Sequence, residues 1–231
     1  MGLNSYIAKE PRALPIFVLA DASGSMRGEK INELNLALRE MLNTLNNVDD
    51  IRGKFQLCVI SFGGDVQVVQ PLADIDGMML PELTAFGNTP MGEAFEILKE
   101  MIEDRQVVSS RAYAPTIVLI SDGIPTDCSE EIYNSKKYDN WEPLMNLHNG
   151  ERSSKSQRLA LGIGADADYE MLKKYINNPD IPVIKANDTS GIIKFFKWVT
   201  MSTVARMNSV NPNVTSTVAP IFDMDEEDIL I

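Results

Sequence analysis

Apolar runs alternate with amphipathic segments along most of the chain, and this alternation predicts an α/β fold. Runs of consecutive apolar residues predict buried strands at 14–20, 55–62 and 115–122. From residue 29 to residue 46, apolar residues recur at the three- and four-residue spacing of one helical face. A second face of this kind begins near Thr89 and predicts another helix. Strands and helices therefore follow each other in turn.

The remaining segments complete the prediction of a single sheet. Residues 66–72 follow the second strand so closely that the two must form an antiparallel hairpin, because a parallel connection needs a crossover of about a dozen residues. Further elements are a short helix from about Asp139, capped by Asp139 and Glu142, a strand at 158–163, a helix at 168–176, a strand at 182–185 and a helix at 190–204. The pattern favours a doubly wound, mostly parallel six-stranded sheet with one antiparallel edge strand and helices on both faces.

Polar side chains with oxygen atoms stand where two of the predicted strands end. Asp21, Ser23 and Ser25 follow the first strand in "DASGS", and Asp122 closes "PTIVLIS". A doubly wound order places these strands side by side, so we expect both carboxylates in one crevice. Thr89 in "GNTPMGEAF" adds a fifth oxygen donor. Such a set suits Mg²⁺, with Mn²⁺ or Ca²⁺ as alternatives, and does not suit zinc.

These motifs resemble those of the von Willebrand factor A domain and its metal-ion-dependent adhesion site, over about residues 14–204. The resemblance implies a Rossmann-like fold in which Ser23 and Ser25 bind the metal directly. It implies that Thr89 binds in the ligand-competent state and that Asp21 and Asp122 act through ordered waters and hydrogen bonds. It also implies a partner protein that presents Asp or Glu to the metal.

A finer similarity is to the bacterial tellurite-resistance TerY-like group. It rests on "LPIFVLADASGSMRGEKINELN", "GNTPMGEAF" and "LGIGADAD". This resemblance implies a bacterial stress or defence system, in which the partners include signalling enzymes such as a kinase or a phosphatase.

Each of these residues also has a simpler interpretation. "DASGS" is a plausible strand-to-helix turn, Asp122 can close the turn before Gly123, and Thr89 can cap a helix that has Pro90 at its first position. As an enzyme, the chain would be a Mg²⁺-dependent phosphate hydrolase with Asp21 as nucleophile. However, Ser23 stands where such enzymes carry a second Asp, and no Lys or His lies in the matched motifs of the metal site. Nucleotide binding lacks every phosphate-cradling motif.

Composition and charge narrow the function further. The net charge of −12 argues against a nucleic-acid partner, and no apolar run approaches the roughly 20 residues of a membrane span. We therefore expect a soluble, cytoplasmic protein, and the resemblance implies that it is not an enzyme. We predict a lead-in at 1–12, a domain at 13–205 and an extended, acidic tail at 206–231. A separate hypothesis is that an acid within 223–228 docks on the metal.

Overall fold

A seven-stranded sheet forms the centre of the computed structural model, which describes residues 11–48, 53–188, 190–213 and the backbone of 229–230. The strands are β1 (Arg12–Asp21), β2 (Gly53–Gly63), β3 (Asp65–Asp74), β4 (Thr116–Ser121), β5 (Gln157–Ile163), β6 (Val183–Ala186) and β7 (Ile229–Leu230). The helices are α1 (Glu29–Asn46), α2 (Met91–Glu103), α3 (Glu130–Ser135), α4 (Glu142–Asn149), α5 (Tyr169–Ile176) and α6 (Ser190–Asn208).

The strand order is β3-β2-β1-β4-β5-β6-β7. β2 and β3 are added on one side of β1, and β4 and the later strands are added on its other side. β1 pairs in parallel with β2 on one side and with β4 on the other, whereas β2 and β3 form the predicted antiparallel hairpin. Strands β1 to β6 thus confirm the predicted six-stranded, mostly parallel sheet, and β7 adds two residues antiparallel to β6. Because Ala20 pairs with Ile120, the ends of β1 and β4 lie at the same edge.

Helices cover both faces of the sheet. Every residue of β4 and β5 is buried. Because successive side chains of a strand point to opposite faces of the sheet, both faces must be covered. α1 packs against α6, while α2 packs against α4 and contacts α5 through the stacked rings of Phe95 and Tyr175, whose centroids are 5.5 Å apart. The carboxyl ends of β1 and β4 emerge between these layers.

The structure differs from the sequence prediction in three places. α4 begins at Glu142 with Pro143 in its first turn, but no side chain caps it, and Asp139 lies in a separate 3₁₀ turn. The predicted capping box is therefore wrong. Helix α3 was not predicted, and α6 continues to Asn208, past the predicted end near residue 204.

Most of the predicted tail, including the acidic run 223–228, lies outside the described residues. Residues 1–10 of the predicted lead-in lie outside them as well. The hypothesis that the acidic run docks on the metal therefore stays a prediction. In the part of the chain that the structure describes, no helix is both long and apolar enough to cross a bilayer.

Candidate metal centre

The turn that follows β1 gathers the first three predicted residues. β1 ends at Asp21, and one turn of 3₁₀ helix (Gly24–Met26) follows directly. The Asp21 Oδ1 atom accepts the backbone N–H of Ser23 at 2.9 Å, which bends the chain back over the end of the strand. The hydroxyls of Ser23 and Ser25 lie 3.0 Å apart. The turn therefore directs two hydroxyls to one place above a carboxylate.

Asp122 reaches the same place from β4. The Ser25 hydroxyl donates to Asp122 Oδ1 at 2.7 Å, a bond between residues 97 positions apart in sequence. Asp122 is 2% exposed, and its side chain bonds to other segments of the chain. These contacts exceed what closing the turn before Gly123 requires. The convergence of Asp21 and Asp122 on one crevice follows from the adjacent ends of β1 and β4.

Thr89 completes the predicted set from a third segment. A Cβ atom built on Gly123 would lie 3.7 Å from the Thr89 hydroxyl oxygen and 3.9 Å from that of Ser25, so both hydroxyls border the same small space. The interpretation of Thr89 as a helix cap is wrong, because α2 has Pro90 at its N-cap position and no side-chain cap. Within the described part of the chain, the Thr89 hydroxyl has no hydrogen-bond partner.

Backbone packing fixes the position of the loop that carries Thr89. Gly24 donates its N–H to the carbonyl of Gly87 at 2.9 Å, and a Cβ on Gly24 would lie 3.2 Å from that oxygen. Gly87 has a φ of +68°, and a Cβ there would meet the Gly64 backbone at 2.4 Å. The three loops that surround the site can approach this closely only because glycines form the contacts.

Three residues that the sequence analysis did not single out support the site. Ser121 donates its hydroxyl to Asp21 Oδ2 at 2.6 Å, and Lys30 donates to Asp122 Oδ2 at 2.5 Å. Thr126 holds Thr89 by a reciprocal pair, since its Oγ1 accepts the Thr89 N–H and its N–H donates to the Thr89 carbonyl, each at 3.0 Å. Ser121, beside Asp122 in "SDG", and Lys30, within "LPIFVLADASGSMRGEKINELN", lie in stretches that carried the resemblance, although neither was assigned a role.

Burial makes the charge on Asp21 unfavourable. Burial raises the pKa of Asp21 to about 6, against the opposing hydrogen bonds from Ser121 and Ser23, and the nearby charge of Asp122 adds to the rise. Two buried carboxylates thus lie close together, with Lys30 as the cation bound to one of them. A bound cation would stabilise both carboxylates in their charged form.

The donor set fits a hard divalent cation. Two carboxylates and three hydroxyls surround the small space, and oxygen atoms are the ligands that hard cations prefer. Ser25 is exposed, whereas Asp21, Ser23, Thr89 and Asp122 are each at most 6% exposed. The site is therefore open to solvent in one direction. The described residues contain no cluster of three or more His, Cys, Asp or Glu side chains suited to a metal, and this site itself offers two carboxylates beside its hydroxyls.

Comparisons with known proteins agree with this fold. Residues 16–124 match the family model described as the von Willebrand factor type A domain. A search of curated proteins found no match.

Among solved structures, the chain is similar to a von Willebrand factor type A protein from Catenulispora acidiphila, with 17% identity, a TM-score of 0.63, and coverage of 83% of this chain and 42% of that one. It is similar to proximal thread matrix protein 1 from the mussel byssus, solved with zinc in its metal-ion-dependent adhesion site (MIDAS) motif. The identity is 18%, the TM-score is 0.60, and the match covers 85% of this chain and 48% of that one. It is also similar to the manganese-loaded TRAP protein of Plasmodium vivax (19% identity, TM-score 0.55, coverage 82% and 74%). The chain spans less than half the length of the first two.

Proposed function

We propose that the chain is a metal-dependent protein-interaction module, because residues 16–124 match the von Willebrand factor type A family model and the fold is similar to that of solved proteins of this type. The observation that carries the proposal is the convergence of Asp21, Ser23, Ser25, Thr89 and Asp122 on one partly open space. Ser23, Ser25 and Thr89 would hold the cation, while Asp21 and Asp122 orient the hydroxyls. When bound, the cation supplies an acceptor for a carboxylate of a partner protein.

Neutral hydroxyls nearest the cation explain why the partner residue would be acidic. Ser23, Ser25 and Thr89 contribute no charge, so a cation at this place keeps most of its charge toward the open side. An Asp or Glu from a partner can then complete its coordination. Binding of this kind breaks no covalent bond, which agrees with a non-enzymatic role.

The surroundings of the site favour apolar residues next to the partner's acid. Phe86 and Ile124 are 44% and 39% exposed. Phe86 lies beside the first loop, since its N–H donates to the Ala22 carbonyl at 2.8 Å, and Ile124 follows Gly123 directly. Exposed aromatic and aliphatic side chains at the edge of a polar centre are typical of interaction surfaces.

Mg²⁺ remains our proposal for the resident metal, with Mn²⁺ or Ca²⁺ as alternatives. The hydroxyl and carboxylate donors support a hard cation. Zinc in the mussel protein and manganese in the Plasmodium protein are properties of those proteins. For this chain they make zinc a cation to test rather than one to exclude.

The setting is also a proposal. Similarity to the tellurite-resistance TerY-like group supports a bacterial stress or defence role in the cytoplasm, with a kinase or phosphatase of the same system as partner. This grouping rests on the sequence motifs alone.

A phosphate hydrolase is the second candidate, and the burial of Asp21 works against it. The sequence analysis found no Lys in the matched motifs, but the structure brings Lys30 to Asp122, so that argument was wrong. The stronger objection is that Asp21 is 0% exposed and both of its oxygens accept hydrogen bonds. A nucleophile needs a free oxygen facing the substrate. An assay of small phosphomonoesters with Mg²⁺ tests this candidate, and turnover that is lost in Asp21→Asn would establish it.

Retention of partner proteins tests the proposed function. The chain is immobilised and exposed to native lysate with Mg²⁺ or with EDTA, and bound proteins are identified by mass spectrometry. We expect a specific protein to be retained with Mg²⁺ and lost with EDTA. Ser25→Ala, which removes an exposed hydroxyl of the site, should lose it too. Ser135→Ala removes an exposed hydroxyl on α3 and should retain it. Equal retention in EDTA would contradict the proposal.

A further inference from the structure

Lys30 brings a positive charge to the candidate metal centre. It is the second residue of α1, and its ammonium group lies 2.5 Å from Asp122 Oδ2. The Asp122 side chain is fully buried, whereas that of Lys30 is 34% exposed. The pair thus joins a carboxylate that cannot reach water to a cation that can.

The charges around Asp122 show what Lys30 does there. One oxygen of Asp122 accepts the Ser25 hydroxyl, and the other accepts Lys30. Asp21 is close enough for its charge to interact with Asp122. Arg27, the nearest other cation on the same turn, donates to the Ala85 carbonyl instead. Among the described residues, Lys30 is the only cation joined to the five site residues by an ion pair or hydrogen bond.

We propose that Lys30 is a built-in counter-cation that neutralises Asp122 when the site holds no metal and that weakens metal binding. The inference rests on the proposed metal site. A divalent cation held by Ser25 would come close to the charge of Asp122, which is also the carboxylate that binds the ammonium group of Lys30. Like charges that share one carboxylate in a buried place repel each other more strongly than they would in water.

Two consequences follow for the stability of the protein. Without metal, Lys30 provides the buried Asp122 carboxylate with a counter-charge, so losing Lys30 destabilises the fold. With metal bound, the cation supplies that compensation, so losing Lys30 costs less. The effect of Lys30 on stability and the effect of the metal are therefore coupled, as expected when one charge partly replaces another.

Variants at position 30 separate the charge from the contact. Lys30→Gln removes the charge but keeps a hydrogen-bond donor for Asp122, and Lys30→Arg keeps the charge. Lys54→Gln is the matched control, because Lys54 forms a similar pair with Asp74 at 2.8 Å near the start of β2, away from the site. The readouts are the Kd of Mg²⁺ by calorimetry and the melting temperature with and without saturating Mg²⁺.

We expect Lys30→Gln to tighten Mg²⁺ binding about tenfold, as a nearby unit charge of modest effective strength would require. Lys30→Arg and Lys54→Gln should bind Mg²⁺ like the wild type. The melting temperature of Lys30→Gln should fall without metal and approach that of the wild type with it. Binding of Mg²⁺ to Lys30→Gln that is equal to or weaker than wild-type binding would overturn the inference, as would an equal fall in melting temperature with and without Mg²⁺.

The same measurements distinguish this inference from the proposed function. If the wild type binds Mg²⁺ and Lys30→Gln binds no tighter, only the role of Lys30 is rejected. If Mg²⁺, Mn²⁺, Ca²⁺ and Zn²⁺ bind to no variant, the metal site itself is rejected. Binding to Lys30→Gln without measurable binding to the wild type would support both.

Discussion

At the scale of single residues, Ser121 shows how the metal centre depends on a group outside the five predicted site residues. Its hydroxyl donates to Asp21 Oδ2 at 2.6 Å and accepts the N–H of Gly123 at 3.2 Å. Both Ser121 and Asp21 are buried. The hydroxyl therefore satisfies a buried carboxylate and ties the end of β4 to the end of β1.

Replacing Ser121 with Ala should destabilise the fold even without metal. The change leaves one oxygen of a buried carboxylate without a partner, which costs about 1–3 kcal/mol in unfolding free energy. Urea unfolding in EDTA measures the loss. Ser135→Ala, at an exposed hydroxyl that bonds within its own helix, should change the unfolding free energy by less than about 0.5 kcal/mol. Similar values for the two variants would show that Ser121 does not support Asp21.

The sequence predicted which oxygens gather but not what holds them. Asp21, Ser23 and Ser25 lie close together along the chain, and adjacent strand ends bring Asp122 to them, so both relations follow from pattern and topology. The contacts of Lys30 with Asp122 and of Thr126 with Thr89 depend on how a helix and a loop approach the sheet. No periodicity or spacing encodes that approach, so these two residues became visible only in the structure.

At the scale of elements, the strands and long helices followed the hydrophobic pattern, while the polar segment between β4 and β5 did not. α3 has no fully buried residue, and only Ile132 and Tyr133 pack partly against the core, so its apolar face is too short for periodicity to detect. Contacts at its two ends hold it as well. Ser129 caps its start, and Lys136, in the left-handed conformation at its end, reaches Asp168 at 2.8 Å.

Asp168 joins three elements of this region. Its Oδ1 accepts the N–H of Met171 and caps α5, while its Oδ2 accepts Lys136 and the hydroxyl of Tyr138. Burial opposes ionisation of Asp168, but these hydrogen bonds outweigh it and hold its pKa below the usual range. Its charged form therefore stabilises the fold above the pKa of the unfolded chain, and this stabilisation is lost as the pH falls through the lower pKa of the folded protein.

Asp168→Asn should lower the unfolding free energy by about 1–2 kcal/mol at neutral pH, because it weakens a helix cap and a charged hydrogen bond. The difference from the wild type should shrink as the pH falls below the usual pKa of an Asp and through the lower pKa of the folded protein, since Asp168 then becomes protonated in the wild type as well. Urea unfolding at a series of pH values measures it. Asp76→Asn, at an exposed carboxylate, should keep the pH dependence of the wild type. A difference for Asp168→Asn that stayed constant with pH would contradict the assignment.

At the scale of the whole molecule, Arg206 anchors the last described helix near the start of β4, whereas the candidate site lies at the opposite, carboxyl ends of the strands. Arg206 of α6 is 1% exposed and lies near the start of β4. It donates to the Pro212 carbonyl, to the Thr116 hydroxyl and to the Ala114 carbonyl at 2.6, 2.8 and 2.6 Å. Burial lowers the pKa of Arg206 to about 10, so it stays charged at neutral pH. One side chain thus closes the C-terminal helix onto the sheet.

This separation predicts that stability and metal binding can be changed independently. Arg206→Met leaves two buried acceptors and one half-buried acceptor without a donor and should lower the unfolding free energy by about 3 kcal/mol. The five site residues lie beyond the carboxyl end of β4. A six-residue strand places them about 20 Å from Arg206, so their side chains should keep their positions. Under conditions where the variant is folded, its Kd for Mg²⁺ should therefore equal that of the wild type. Arg39→Met, at an exposed arginine of α1, should change neither quantity. Weaker Mg²⁺ binding by Arg206→Met would mean that the start of β4 and the site are coupled. The strands between them would then transmit the disturbance to the site residues.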